Sequence, residues 1–212
     1  ALFDALCEAI AKRLPDVDVH RWPGGERAGT TDAVVWKPPG DFFEGLDALE
    51  RVHSFAAGVD HLLEHPALPR SASVIRLEDA GMAERMCEYV LHGVLRAQRR
   101  VPLLEAAERE RRWAHDIELP PAASFGVGIL GAGVLARAVA VRLAANGYPV
   151  SCWSRTEKTM PDGVANHVGE DGLGYCLAVA RVLVCLLPLT EATRGVLDAE
   201  LFARLPRGAY LV

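Results

Sequence analysis

The sequence predicts an α/β protein, with an α/β segment over residues 1–80 and a second α/β unit on a parallel sheet after it. Three observations carry that expectation. Short apolar runs alternate with amphipathic stretches along the 212 residues, the pattern of strands joined by crossover helices. A glycine-rich bend, Gly131-Ala132-Gly133, falls between such a run and such a stretch. With 50% apolar and 24% charged residues the chain is able to bury a substantial core.

Residues 1 to 14 read as a helix, with Leu2, Leu6, Ile10 and Leu14 on one face and a supporting Glu8 to Lys12 pair on another. A strand is expected around Val17 and Val19, and a loop through Gly24-Gly25 and Gly29. A short strand runs from Ala33 to Trp36 and stops at Lys37-Pro38-Pro39-Gly40. Val52 to Ala56 and Ser73 to Arg76 supply two more strands, so that residues 1–80 form a first lobe. From Gly81 a helix carries Met82, Met86, Val90 and Val94 at four-residue spacing, and Pro102 either kinks it or begins another at its first position. This connector, residues 81–123, closes at Pro120-Pro121.

The second lobe, 124–212, opens with a strand from Phe125 to Leu130. The helix after the glycine bend sets Leu135, Val139 and Leu143 on one stripe and ends at Asn146-Gly147 and Pro149. A strand from Pro149 to Trp153, a helical piece from Glu170 to Ala178, a strand from Val182 to Leu186, a helix from Asp198 to Leu205 and a strand starting at Ala209 complete it. Both ends read as cut. Ala1 enters a helix directly, and a terminal carboxylate after Tyr210-Leu211-Val212 would lie within a predicted parallel sheet, where an unpaired charge is costly.

The string from Gly131 to Ala136 fits G-x-G-x-x-[GA], in which the glycines let a pyrophosphate approach the backbone at a helix N-terminus. Ala136 takes the third place, which needs only a small side chain. In an NAD enzyme the next strand ends on an acid that accepts from the adenosine 2′-hydroxyl. Here the edge reads Trp153-Ser154-Arg155, with Lys158 beyond. One unit charge pair at about 4 Å contributes roughly 4 kcal/mol at an effective dielectric near 20, so losing the acid and gaining two cations favours the 2′-phosphate of NADP. The alternative is a solvated basic loop.

The net charge of −5, with Arg96, Arg99, Arg100, Arg109, Arg111 and Arg112 interleaved with Glu105, Glu108 and Glu110, argues against a nucleic-acid partner. No apolar stretch is long enough to cross a bilayer, and no leader pattern opens the chain. Five scattered cysteines fit reduced thiols in a cytoplasmic protein, with Cys152 and Cys185 in predicted strands. No metal site is expected. Asp60, His61 and His65 come nearest to one, without a further ligand.

Six strings occur in order: Ala57-Gly58-Val59-Asp60-His61, Gly81-Met82-Ala83-Glu84, Gly131-Ala132-Gly133-Val134-Leu135, Cys152-Trp153-Ser154-Arg155, Leu187-Pro188-Leu189-Thr190, and Leu205-Pro206-Arg207-Gly208-Ala209-Tyr210-Leu211-Val212. Together they resemble the D-isomer-specific 2-hydroxyacid dehydrogenase family, and within it the NADPH-dependent glyoxylate/hydroxypyruvate reductase A branch. The likeness covers nearly the whole chain. It implies two Rossmann-like, doubly wound parallel-sheet lobes with a cleft between them and a small 2-oxo acid as substrate, its carboxylate bound by the backbone N–H groups of Ala57 and Gly58.

The resemblance also places Trp36 in the substrate cleft, with a capping or core aromatic as the alternative, and Met82-Ala83-Glu84 on the nicotinamide side, with core methionines at helical spacing as the alternative. Cofactor contacts are implied for Gly131, Gly133, Val134, Leu135, Trp153, Ser154, Arg155, Lys158, Leu187, Pro188 and Thr193. For Thr193 the other reading is a helix cap. Trp113 matches a dimerisation arm, so a homodimer is implied. The family's catalytic Arg, Glu and His are expected after Val212, and none of His20, His53, His61, His65, His92, His115 or His167 takes the proton-transfer role. A second function class is a non-catalytic NAD(P)-sensing corepressor of the same fold.

Overall fold

In the computed structural model, which describes residues 2–25 and 27–212, the chain forms two compact units, residues 1–77 and 78–212. Both are α/β, and every strand pairing is parallel.

The first unit opens with helix α1 (Leu2–Arg13). Its sheet comprises β1 (Asp32–Val35), β2 (Arg51–Ser54) and β3 (Ser73–Arg76) in the order β1-β2-β3. Alternation decides which face is packed: Ala33, Val35 and Val52 turn inward onto Phe43, Leu46, Leu49 and Leu62. Leu62 belongs to α2 (Asp60–Leu63), a single turn too short to leave a periodic signal in sequence. The opposite sheet face carries Asp32, whose carboxylate accepts from both Arg51 Nε and Nη2 at 2.6 Å and meets His53 Nε2 at 2.9 Å.

No strand forms at Val17 and Val19, contrary to the sequence expectation. Pro15, Asp16 and Asp18 surround two valines that find no neighbouring strand, so their backbone groups would go unpaired in extended form. The chain instead turns there, with Val17 N–H donating to Leu14 O at 3.1 Å.

The second unit contains α3 (Met82–Gln98), α4 (Val101–Arg109), β4 (Val127–Leu130), α5 (Val134–Ala145), β5 (Val150–Ser154), β6 (Val164–Val168), α6 (Gly169–Val179), β7 (Val182–Cys185), α7 (Ala199–Ala203) and β8 (Tyr210–Leu211). The sheet order is β6-β5-β4-β7-β8. Pro102 sits in the first turn of a separate helix, where its missing N–H costs nothing, and Arg100 between the helices is left-handed at φ 49°.

Period-two alternation sorts the strand residues between two helical layers. Val127, Ile129, Val150, Cys152, Val182 and Val184 face α3 and α5, which contribute Val90, Val94, Ala97, Ala136, Val139, Ala140 and Leu143. Leu130 and Leu183 face Leu173 and Leu177 of α6 and Leu201 of α7. With both faces covered, β4 is buried at all four positions. Strand β6 escaped the sequence reading because Ala165, Asn166 and His167 interrupt its apolar pattern, as befits an edge strand.

A buried polar link ties α3 to the rest of this unit. Gln98 Nε2 donates to Pro120 O at 2.8 Å, and Tyr148 Oη donates to Gln98 Oε1 at 3.0 Å. Burial pushes the Tyr148 phenol pKa up, so it remains a donor. Truncating Gln98 to Ala strands two buried groups and should cost about 3 kcal/mol, whereas Tyr148→Phe strands one acceptor and should cost about 1–2 kcal/mol. Denaturant midpoints of the two variants check that order, and equal midpoints would contradict it.

Candidate functional site

The sheet order reverses direction at β4: the chain runs outward through β5 and β6, then crosses to β7 and β8. Such a reversal opens a crevice beyond the carboxyl ends of β4 and β7. The loops after those strands meet there. Leu186 N–H donates to Leu130 O at 2.9 Å, and Gly131 N–H donates to Trp153 O at 2.8 Å, joining the ends of β4, β5 and β7.

Gly131 has φ +122°, and an added Cβ would lie 3.1 Å from Leu186 O, so both backbone conformation and close approach demand glycine. Gly133 differs. It is the N-cap of α5 at φ −79° and ψ −171°, a conformation open to any residue, yet a Cβ there would meet nothing within 4 Å. The position is exposed, no side chain caps the helix, and its first turn holds no acid. Free N–H groups at Val134 and Leu135, the positive end of the helix dipole and an unfilled cradle suit an anion such as a pyrophosphate. Ala136, 1% exposed, packs α5 against the sheet in the place where a large side chain would separate them.

The carboxyl end of β5 supplies the second part. Trp153 is half-buried, and its indole Nε1 donates to Gly169 O at 2.8 Å. Ser154 is buried, and its hydroxyl lies 2.8 Å from Thr156 O and 3.1 Å from Asn166 Oδ1. Arg155 and Lys158 project from the following loop, both exposed, and neither forms an ion pair among the described residues. Two cations therefore stand at the strand edge where the acid of an NAD site would be.

The loop after β7 is the third part. Leu187 is half-buried, and Pro188 is exposed. The Thr193 hydroxyl donates to Pro188 O at 2.6 Å and accepts from Thr190 N–H at 2.8 Å. Thr190 and Thr193 form a reciprocal capping box around the turn Glu191–Thr193, so the Thr193 hydroxyl shapes the loop that presents Pro188.

In the first unit, Trp36 follows β1 and is 52% exposed, with Lys37 Nζ 6.0 Å from its ring centre. Ala57 is half-buried and Gly58 exposed, and among the described residues their N–H groups have no acceptor. His65 Nδ1 accepts from Ala67 N–H at 3.2 Å, which leaves Nε2 as the donor to Pro39 O at 3.1 Å. That histidine braces the loop below Trp36. All five cysteines are free; burial pushes Cys152 up to about 12 and Cys176 up to about 11, which holds both as unreactive thiols. Cys185 is half-buried at the end of β7.

A five-stranded parallel α/β unit with an open glycine bend at its switch point defines a dinucleotide-binding domain of the Rossmann type. The sequence profile described as D-isomer specific 2-hydroxyacid dehydrogenase, NAD binding domain, matches residues 91–212. The glyoxylate/hydroxypyruvate reductase A of Serratia proteamaculans is 38% identical over 208 residues, covering 96% of this chain and 66% of that protein. Among solved structures, a D-isomer specific 2-hydroxyacid dehydrogenase from Xanthobacter autotrophicus in complex with NADPH and MES superposes with TM-score 0.88 at 40% identity, covering 96% of this chain and 66% of that one. The NADPH-dependent glyoxylate/hydroxypyruvate reductase of Sinorhizobium meliloti, in complex with NADP and sulfate, gives TM-score 0.79 at 40% identity over 84% of this chain and 55% of that one.

The chain belongs to the D-isomer-specific 2-hydroxyacid dehydrogenase family. It spans about two thirds of the length of the reductase relatives that it matches.

Proposed function

We propose that the protein carrying this chain is an NADPH-dependent reductase of small 2-oxo acids, converting glyoxylate to glycolate or hydroxypyruvate to D-glycerate. The observation that carries the reading is the pairing of an open, acid-free glycine bend with a strand edge bearing Arg155 and Lys158 in place of an acid. The N–H groups at Gly133, Val134 and Leu135 hold the pyrophosphate, and Gly131 keeps the bend close to the sheet. Arg155 and Lys158 bind the 2′-phosphate, Trp153 and Ser154 shape that edge, and Leu187 and Pro188, braced by Thr193, contact the cofactor from the β7 loop. Bound there, the reduced nicotinamide supplies a hydride to the carbonyl carbon of the substrate.

Among the described residues the Ala57 and Gly58 N–H groups have no acceptor, and they suit a carboxylate, which gains more from an N–H donor than a neutral carbonyl does. Trp36 contributes an apolar wall. No histidine of this chain is assigned the proton. Trp113, 87% exposed, is assigned to a homodimer contact.

The test is consumption of NADPH on addition of glyoxylate or hydroxypyruvate to the protein, at a rate well above that with NADH. No turnover with either acid would overturn the assignment. Arg155→Ala should weaken NADPH by about 10- to 100-fold and NADH by less than about twofold, because the lost charge pair exists only with the 2′-phosphate. Dissociation constants for both nucleotides decide it, and equal losses would remove Arg155 from the phosphate site.

A further inference from the structure

The cations assigned to the 2′-phosphate sit on a segment without regular structure, running from the end of β5 at Ser154 to the start of β6 at Val164. Exposed Arg and Lys side chains on a free loop sample many rotamers, and a moving backbone beneath them would spread their charge further. This backbone is tied at two points. The Ser154 hydroxyl reaches Thr156 O at 2.8 Å, and Asn166 Nδ2 donates to Lys158 O at 3.2 Å. Asn166 Oδ1 lies 3.1 Å from the same Ser154 hydroxyl, whose single hydrogen is thus shared between two acceptors.

One amide on the edge strand therefore spans the loop. It meets Ser154 immediately before Arg155, and the carbonyl of Lys158 itself. Asn166 is half-buried beside Cys152 in the β5–β6 register, which fixes its Cα on paired strands and leaves its amide to hold the loop. We propose that Asn166 is a specificity-determining positioning residue, which sets the choice of NADPH over NADH by holding Arg155 and Lys158 where a 2′-phosphate binds. The assignment rests on the NADP reading of this edge. Ser154 belongs to the same brace: with its hydrogen committed to Thr156 O and Asn166 Oδ1, it shapes the loop and leaves donation to the phosphate to the two cations.

The experiment measures dissociation constants of NADPH and NADH, with thermal midpoints, for the unmodified protein, Asn166→Ala, Asn166→Asp, Arg155→Ala and the Arg155→Ala/Asn166→Ala pair. Asn166→Ala should weaken NADPH by about fivefold to tenfold, the scale of one hydrogen bond, and NADH by less than about twofold. Asn166→Asp keeps the size and the acceptor but replaces the Nδ2 donor with a charged oxygen facing Lys158 O, and should lose NADPH at least as strongly. In the Arg155→Ala background the Asn166→Ala loss should shrink, because the brace acts through what it positions.

Equal weakening of both nucleotides by Asn166→Ala, or an unchanged NADPH to NADH ratio in a protein that prefers NADPH, overturns the positioning role. A protein that shows no preference before mutation overturns the NADP reading itself and the inference with it. If Asn166→Ala fails to fold, the same ratio read on Asn166→Asp decides between these outcomes.

Discussion

Gly133→Asp should leave the protein folded and at least as stable while raising the dissociation constant for NADPH by about 100-fold or more. The two effects separate because the position is open. Its φ of −79° and ψ of −171° accept any L-residue, and a Cβ meets nothing within 4 Å. Aspartate is a better N-cap than glycine by a few tenths of a kcal/mol, since its carboxylate accepts from the N–H groups of the first turn. Those are the same groups assigned to the pyrophosphate. The substitution therefore occupies the donors and sets a negative charge near two phosphates, a repulsion of about 3–4 kcal/mol at 4–5 Å and an effective dielectric near 20. Thermal melts and nucleotide titrations on one sample read both halves. Unimpaired binding, or loss of fold, would remove the bend from the site as described.

The largest effect on folding is expected at Gly126, which lies just before β4. An added methyl would press on the carbonyl oxygen of Val179 at the end of α6, far inside van der Waals contact. Neither side is free to yield: Gly126 O accepts from Arg181 N–H at 2.8 Å and from Val182 N–H at 3.3 Å, pinning the α6 to β7 turn to the strand. At Gly128 a Cβ would lie 2.9 Å from Ala180 Cβ and 3.1 Å from Cys176 O, so the same face of the strand is glycine twice. Gly126→Ala should destabilise the second unit by more than about 3 kcal/mol, above the usual overpacking range because backbone rather than side chain must move. Denaturant unfolding checks it. A loss below about 1 kcal/mol would show that α6 slides freely on the sheet.

Much of the second unit was legible from its residues. The run before Gly131 and the helix stripe are local signals with local causes, Val139 and Leu143 of that stripe being buried in the core and Leu135 half-buried. The strand expected from Val182 and the helix from Glu170 were found to within a residue or so at their starts. Edges and turns fared worse. Val17 and Val19 carried a strand-like alternation without a partner, whereas β6, with three weak strand formers in five residues, is held because β5 lies beside it.

The candidate site divides in the same way. Gly131, Gly133, Arg155 and Lys158 were visible because their chemistry depends on residue type and spacing near one bend. Asn166 was not, since nothing in its neighbourhood announces a grip on a loop that begins twelve residues earlier. Thr193 allowed two readings, and its bonds to Pro188 O and Thr190 N–H give it a loop-shaping role.

By itself, the sequence determined the class of fold, the place of the glycine bend and the charge of the strand edge, because periodicity, backbone freedom and charge are properties of short stretches. Only the tertiary structure decided which glycines were needed for helix contact, which strand lay at the edge, and what braces the basic loop. Those depend on distances between segments far apart in the chain, and such distances exist only after the layers have packed.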